Sequence, residues 1–221
     1  MQDKIRGVLF DLDGVLVDTA KYHYQAWSQL AESLGFSFTE KDNERLKGVS
    51  RQASLEILLS IGNVSLTDKQ KENAMAEKNA NYVEMISKMT PGGILPGALE
   101  LLKELREKGI KTALGSASKN APIILERTGL DQYLDAVVDG NRTSQAKPDP
   151  EVFLLGASDL NLKPGECVVF EDAEAGVEAG KAGGMLTVGI GHEDQLGAAD
   201  ALFPNLKGVS WTMITEALEK S

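Results

Sequence analysis

The chain has 221 residues, 42% of them hydrophobic, enough to bury one sizeable core with room for one small accessory domain. Lys and Arg total 23 against 33 Asp and Glu, and the resulting net charge of −10 argues against nucleic acid or an anionic membrane as a partner. Cys167 is the only cysteine, so no intrachain disulfide can form, and the first apolar run is too soon interrupted by Asp11 to be a signal peptide or membrane helix; a cytoplasmic monomer is expected.

Gly7-Val8-Leu9-Phe10 is apolar without polar alternation and reads as a short strand buried on both faces of a parallel sheet. Between Thr19 and Met89 the pattern turns almost wholly helical. Ala26, Trp27, Leu30, Ala31 and Leu34 mark one helix, and Leu55, Leu58 and Leu59 a second. Met75, Tyr82, Met85, Ile86 and Met89 form a third, longer stripe, read as core. Pro91-Gly92-Gly93 and Pro96-Gly97 punctuate a return to alternation. Helices over 98–108, 121–128 and 175–182 then alternate with strands over 111–115, 136–138, 167–170 and 186–190, with a further helix between the second and third of those strands. Trp211 to Glu219 reads as a closing helix capped by Ser210. The pattern specifies an α/β fold: a doubly wound parallel-sheet, Rossmann-like core domain of residues 1–17 and 91–221, with a helical domain of residues 18–90 inserted.

Chemistry-bearing residues gather where these strands end. Asp11 and Asp13 follow the first strand, and ligands of open α/β sheets bind beyond the carboxyl ends of the strands. Residues two apart in an extended segment share a face, so both carboxylates can converge on one group, and Gly14 then lets the backbone turn away. The strand over 111–115 runs into Ser116-Ala117-Ser118-Lys119-Asn120. Lys147 precedes Pro148-Asp149-Pro150 and so belongs to a rigid loop, and Cys167-Val168-Val169-Phe170 ends in Glu171-Asp172. Each piece has an ordinary reading: an acidic turn, a hydroxyl helix cap, a solvated lysine, an acidic first helical turn. Their conjunction at strand tips carries the functional reading.

Asp11-Leu12-Asp13-Gly14-Val15 resembles the first motif of the haloacid-dehalogenase superfamily of aspartate-nucleophile phosphotransferases, and the segments at Ser116, Lys147 and Glu171-Asp172 resemble its later motifs in order. The resemblance implies Asp11 as nucleophile, Asp13 as proton shuttle, and Ser116 with Lys147 holding the phosphoryl group. It also implies Mg²⁺ as cofactor, with Asp11, Asp13, Glu171 and Asp172 as its ligand set, completed by a backbone carbonyl, and a mobile cap in the helical insert. Carboxylate attack on a phosphoryl group must overcome anion–anion repulsion, which is why a metal and a lysine are wanted.

Asp18-Thr19-Ala20-Lys21-Tyr22-His23, Arg45-Leu46-Lys47-Gly48-Val49-Ser50-Arg51 and Glu77-Lys78-Asn79 resemble the β-phosphoglucomutase subgroup of that superfamily. This implies sugar-phosphate substrates, namely β-glucose 1-phosphate, glucose 1,6-bisphosphate and glucose 6-phosphate. The substrate-binding set it implies is Thr19, His23, Lys47, Gly48, Val49, Ser50, Arg51 and Lys78 from the cap, and Ala117, Ser118, Lys119 and Asn120 from the core. A sugar-phosphate phosphatase with the same site, and a non-catalytic phosphosugar-binding protein, stand as alternatives. The polar loop around Arg142 is expected to add a cation near the site entrance.

Overall fold

The structure, a computed structural model, describes residues 4–46 and 49–220. Six strands form one parallel sheet in the order β3-β2-β1-β4-β5-β6: β1 (Gly7–Phe10), β2 (Lys111–Gly115), β3 (Ala136–Val138), β4 (Cys167–Glu171), β5 (Leu186–Ile190) and β6 (Ala201–Phe203). The order reverses direction at β1, whose neighbours are β2 on one side and β4 on the other, so β1 lies at the topological switch point.

Side chains alternate across the sheet and divide the core into two layers. Val8, Phe10, Leu114, Val168 and Phe170 face one side, where they pack with α5 (Ala98–Glu107), α6 (Ala121–Thr128) and α10 (Trp211–Leu218). Leu9, Ala113 and Val169 face the other, against α7 (Glu151–Asp159) and α8 (Glu174–Ala182). Helices on both faces explain why the strands read as unbroken apolar runs.

Between β1 and β2 stand α1 (Ala20–Ser33), α2 (Glu40–Glu44), α3 (Arg51–Gly62) and α4 (Asp68–Ile86). They have a core of their own around Trp27, Leu30, Leu55, Leu58, Leu59 and Ala74. The start and end of this helical segment run side by side. The Asp18 amide donates to the Gly93 carbonyl at 3.0 Å, the Leu95 amide donates to the Leu16 carbonyl at 2.9 Å, and Val17 and Ile94 form an antiparallel bridge.

The helical periodicity did not reveal α2, which is five residues long and held by a Thr39 capping box, nor the short α9 (Glu193–Leu196). It also missed β6, whose three residues precede Pro204. The buried face of α4 runs Ala74, Lys78, Tyr82, Ile86, a regular four-residue spacing in which one position is a lysine.

Phe153 on α7 is fully buried, and its ring lies so close to Gly115 at the end of β2 that any Cβ there would meet it at 2.7 Å. Phe153→Ala is therefore expected to lose about 3–5 kcal/mol of stability, read as a lower urea midpoint with an unchanged m value.

Candidate active site

The sheet register brings the functional strand ends level. Phe10 pairs with Leu114 on β2 and with Phe170 on β4, so Asp11, Gly115 and Glu171 stand one residue beyond at the same height. The Asp11 amide continues the ladder, donating to the Phe170 carbonyl at 2.9 Å. Ser116, one residue further along β2, is buried, and its backbone amide donates to the Val138 carbonyl at 3.0 Å.

Lys147 enters this ring from the loop before α7. Its Nζ lies 2.5 Å from Asp11 Oδ1 and 2.5 Å from Glu171 Oε1, and donates to the Gly115 carbonyl at 3.0 Å. An ammonium has three N–H donors, so all three are engaged, one at each of the three strand ends. The Lys147 side chain is only 3% exposed, and its charge sits 4.8 Å from the Phe153 ring centroid. Burial alone would discharge the lysine, but the charges of Asp11 and Glu171 outweigh it and hold the ammonium more firmly protonated than a free lysine.

Glu171 faces the opposite balance. Burial and the like charge of Asp11 raise its pKa, although Lys147 opposes them. Its second oxygen accepts from the backbone amides of Asp172 and Ala173 at 3.0 and 3.2 Å, ahead of α8. Gly176 on α8 makes room for this carboxylate, since a Cβ there would come within 1.9 Å of it. Sequence reasoning missed Gly176; nothing local marks it, because the need arises from a side chain five residues earlier.

Asp11, Glu171 and Asp172 each offer an oxygen within 4.8 Å of the others. One lysine among three carboxylates leaves this largely buried group with excess negative charge. Three hard oxygen donors with an unbalanced charge fit a divalent ion such as Mg²⁺, which takes few carboxylates and keeps several waters. The expected fourth carboxylate, Asp13, does not join the group, because its side chain is turned to Thr19, whose hydroxyl donates to Asp13 Oδ1. Asp13 is pushed up to about 6 by burial and by the Asp11 charge, against the Thr19 hydrogen bond and the more distant Lys147 and Lys78 charges. Gly14 adopts φ +85°, a left-handed turn, and passes so close to Asp172 that a Cβ would stand 2.1 Å from its carboxylate.

The helical segment brings Lys78 within electrostatic reach of Asp13 and gathers His23 and Arg51 around Lys78. Lys78 is 3% exposed, lies 4.6 and 4.7 Å from the Trp27 and Tyr82 ring centroids, and has its Nζ 3.1 Å from His23 Nδ1. A protonated Lys78 can only donate, so in that state His23 Nδ1 is the acceptor and the ring is neutral. Burial, followed by the charges of Lys78 and Arg51, accordingly holds His23 well below its usual pKa. Lys78 is itself lowered to about 7 by burial and by the Arg51 charge. His23 also stacks on Tyr82, with 4.2 Å between centroids.

The remaining expected substrate residues are distributed unevenly. Thr19 is fully buried and holds Asp13, which makes it a support for that carboxylate and not a surface for ligand. Ser50 caps α3, its hydroxyl accepting from the Ala53 amide at 3.2 Å, and Arg51 begins that helix half-buried. Val49 is exposed, and Lys47 and Gly48 lie outside the described residues. On the core side Ala117 and Lys119 are exposed while Ser118 and Asn120 are half-buried. Arg142 does not supply a cation to the entrance: its guanidinium is forked onto Asp159 and donates to the Val137 carbonyl at 2.8 Å, pinning its own loop.

Residues 5–184 match the sequence model of the haloacid dehalogenase-like hydrolases. The chain belongs to that family. Among haloacid dehalogenase-like proteins it is 40% identical to β-phosphoglucomutase of Bacillus subtilis over 218 residues, covering 98% of this chain and 96% of that one. It is 34% identical to a phosphorylated carbohydrates phosphatase of Thermotoga maritima over 192 residues, 85% of this chain and 86% of that one. Its fold superposes on a crystal structure of β-phosphoglucomutase from Clostridium difficile with a TM-score of 0.91 at 38% identity, covering 98% of both chains. This haloacid dehalogenase-like chain is an enzyme.

Lys147→Met leaves Asp11 and Glu171 buried without their cation and is expected to lower stability by about 3–5 kcal/mol at neutral pH. Glu171 is already raised in the folded state, so the stability it contributes is present below its unfolded pKa and is lost as pH rises through the folded value. Denaturant titrations should therefore show the variant recovering part of its deficit on acidification from about pH 8 to about pH 5, with a steeper slope than the native enzyme's, because removing Lys147 lifts the charge that opposes the rise of Glu171.

Proposed function

We propose that this enzyme is a magnesium-dependent β-phosphoglucomutase that interconverts β-D-glucose 1-phosphate and glucose 6-phosphate through an aspartyl phosphate at Asp11 and β-glucose 1,6-bisphosphate. Residues 18–90 act as the cap and residues 1–17 with 91–221 as the core. The observation that carries the mutase reading is the pair of cationic side chains on the helical insert, Lys78 and Arg51, within electrostatic reach of each other, with no carboxylate hydrogen-bonded to Lys78 among the described residues. A mutase must hold a second phosphate far from its nucleophile, and a cap that brings cations without their own counter-ions suits that need. The 40% identity to a β-phosphoglucomutase over nearly the whole chain supports the same reading.

In the forward step a hydroxyl of the bound sugar phosphate attacks phosphorus on phosphorylated Asp11. Asp13 takes the hydroxyl proton, the bond between phosphorus and the Asp11 oxygen breaks, and Asp11 is restored as a carboxylate. The bisphosphate reorients, and Asp11 then attacks its other phosphoryl group while Asp13 returns the proton to the leaving oxygen. Ser116 and Lys147 hold the transferring group, and Lys147 keeps its charge throughout because Glu171 remains beside it. Asp11, Glu171 and Asp172 would hold Mg²⁺, which when bound neutralises charge on the transferring phosphoryl oxygens. Arg51, with Ser118 and Asn120, receives the second phosphate, and cap closure excludes water, the competing nucleophile.

Identity of 34% to a carbohydrate-phosphate phosphatase favours a second reading, in which water replaces the sugar hydroxyl. Supplying β-glucose 1-phosphate with a trace of glucose 1,6-bisphosphate and Mg²⁺ separates them: glucose 6-phosphate in large excess over inorganic phosphate is expected, and dominant phosphate release would assign the phosphatase. Asp11→Asn should end both reactions, whereas Asp13→Asn should slow sugar-to-sugar transfer by about 10²–10⁴-fold.

A further inference from the structure

The loop that leaves β2 is built as a hydrogen-bonded relay. The Ser118 amide donates to Ser116 Oγ at 3.1 Å, and the Asn120 amide donates to Ser118 Oγ at 3.3 Å. Asn120 Nδ2 then donates to Asn79 Oδ1 at 2.9 Å. The last bond leaves the sheet domain altogether: Asn79 stands on α4, next in sequence to Lys78, and is separated from Asn120 by 41 residues. Asn120 is the residue before α6, and its side chain makes no capping bond to that helix. Its amide is thus oriented by the cap and not by its own element.

An asparagine side chain presents an acceptor at one corner and two N–H donors at the other, and a rotation of 180° exchanges them with little change in shape. Which corner faces a ligand is decided by whatever binds the amide. Asn79 offers a carbonyl oxygen to Asn120 Nδ2, which fixes the nitrogen toward α4 and leaves its second N–H without a protein partner among the described residues. Without Asn79 the amide could turn its oxygen to the same place, and an oxygen there would repel an anion.

We propose that Asn79 is a positioning residue for a second anionic group on the substrate: it holds the Asn120 amide nitrogen-first, so that the free N–H can donate to a phosphate distant from Asp11. This deepens the mutase reading and rests on it. Asn79 need not touch the ligand, so its whole effect should pass through Asn120. The relay back to Ser116 also means that docking of α4 is mechanically joined to the loop carrying the hydroxyl beside the nucleophile.

The test uses binding to the Asp11→Asn enzyme, which cannot turn over, in Mg²⁺ buffer by calorimetry with two probes, β-glucose 1,6-bisphosphate and inorganic phosphate. Loss of one oriented hydrogen bond to a charged group predicts that Asn79→Ala weakens bisphosphate binding about tenfold and phosphate binding less than about twofold. Asn120→Ala should weaken it as much, and Asn79→Ala with Asn120→Ala together no further, since the two act as one unit. Additive losses in that cycle, or an unchanged bisphosphate affinity in Asn79→Ala, would overturn the proposal while leaving the mutase reading intact. Equal weakening of both probes would also overturn it, assigning Asn79 a purely structural role. If the Asp11→Asn enzyme holds the bisphosphate no more tightly than inorganic phosphate, the two-anion site itself is wrong, and the mutase reading falls with it.

Discussion

A single ammonium group organises this molecule. Lys147 binds Asp11, Gly115 and Glu171, and these residues end β1, β2 and β4, the three strands at the centre of the sheet. The arrangement is stable only as a whole. Burying a charge costs several kcal/mol, and the cost is recovered only where every donor and acceptor finds a partner. The site meets that condition for the lysine by engaging all three donors, and for Glu171 by adding two backbone amides to the ion pair. It does not meet it for net charge, because one cation serves three acids. The fold therefore stores a local surplus of negative charge at the point where a divalent ion fits, and the proposed reaction needs such an ion because the surplus would otherwise repel a phosphate from Asp11.

The helical insert answers from the other side. In a chain with a net charge of −10, it collects Arg51, Lys78 and His23 within electrostatic reach of one another and buries Lys78 against two aromatic rings. Burial, aided by the charges of Lys78 and Arg51, disfavours a charged His23, and this leaves its Nδ1 available as an acceptor for Lys78. Asp13 lies between the two halves, raised by burial and by Asp11 and lowered by the Thr19 hydrogen bond and by Lys147 and Lys78. Its protonation balance thus depends on burial and on charges from both the sheet and the insert.

The sheet was legible in the sequence wherever strands were buried on both faces. Gly7–Phe10, Lys111–Gly115, Ala136–Val138 and Leu186–Ile190 fall at the expected residues, because an apolar run bounded by Gly, Pro or charge leaves little freedom. The helices α2 and α9, of five and four residues, were invisible because no helical period can be counted over so short a span, and the three-residue β6 was missed before Pro204. In the site, the acids and Lys147 were legible from their residue types at strand ends. What they contact was not. Thr19 was expected at the substrate and is instead buried against Asp13, and Arg142 was expected at the entrance and is instead clamped to Asp159. Both errors have one origin: a polar side chain is satisfied by its nearest partner in space, and in this fold that partner is six residues away for Thr19 and 17 for Arg142. Gly176 and Asn79 are harder still, since each matters for a single atom-to-atom approach that no local pattern encodes.

The paired strands of chain at 16–18 and 93–95 have an evolutionary consequence. The backbone leaves the sheet and comes back to it within hydrogen-bond distance, at Asp18 with Gly93 and at Leu16 with Leu95. A module whose two ends meet in this way can be enlarged, shortened or replaced without moving any strand beneath it, because the junction that the host must preserve is only a few residues wide. The sheet that carries the acids and Lys147 can therefore stay fixed while the inserted helices change, so the surface facing those groups can vary independently of the groups themselves.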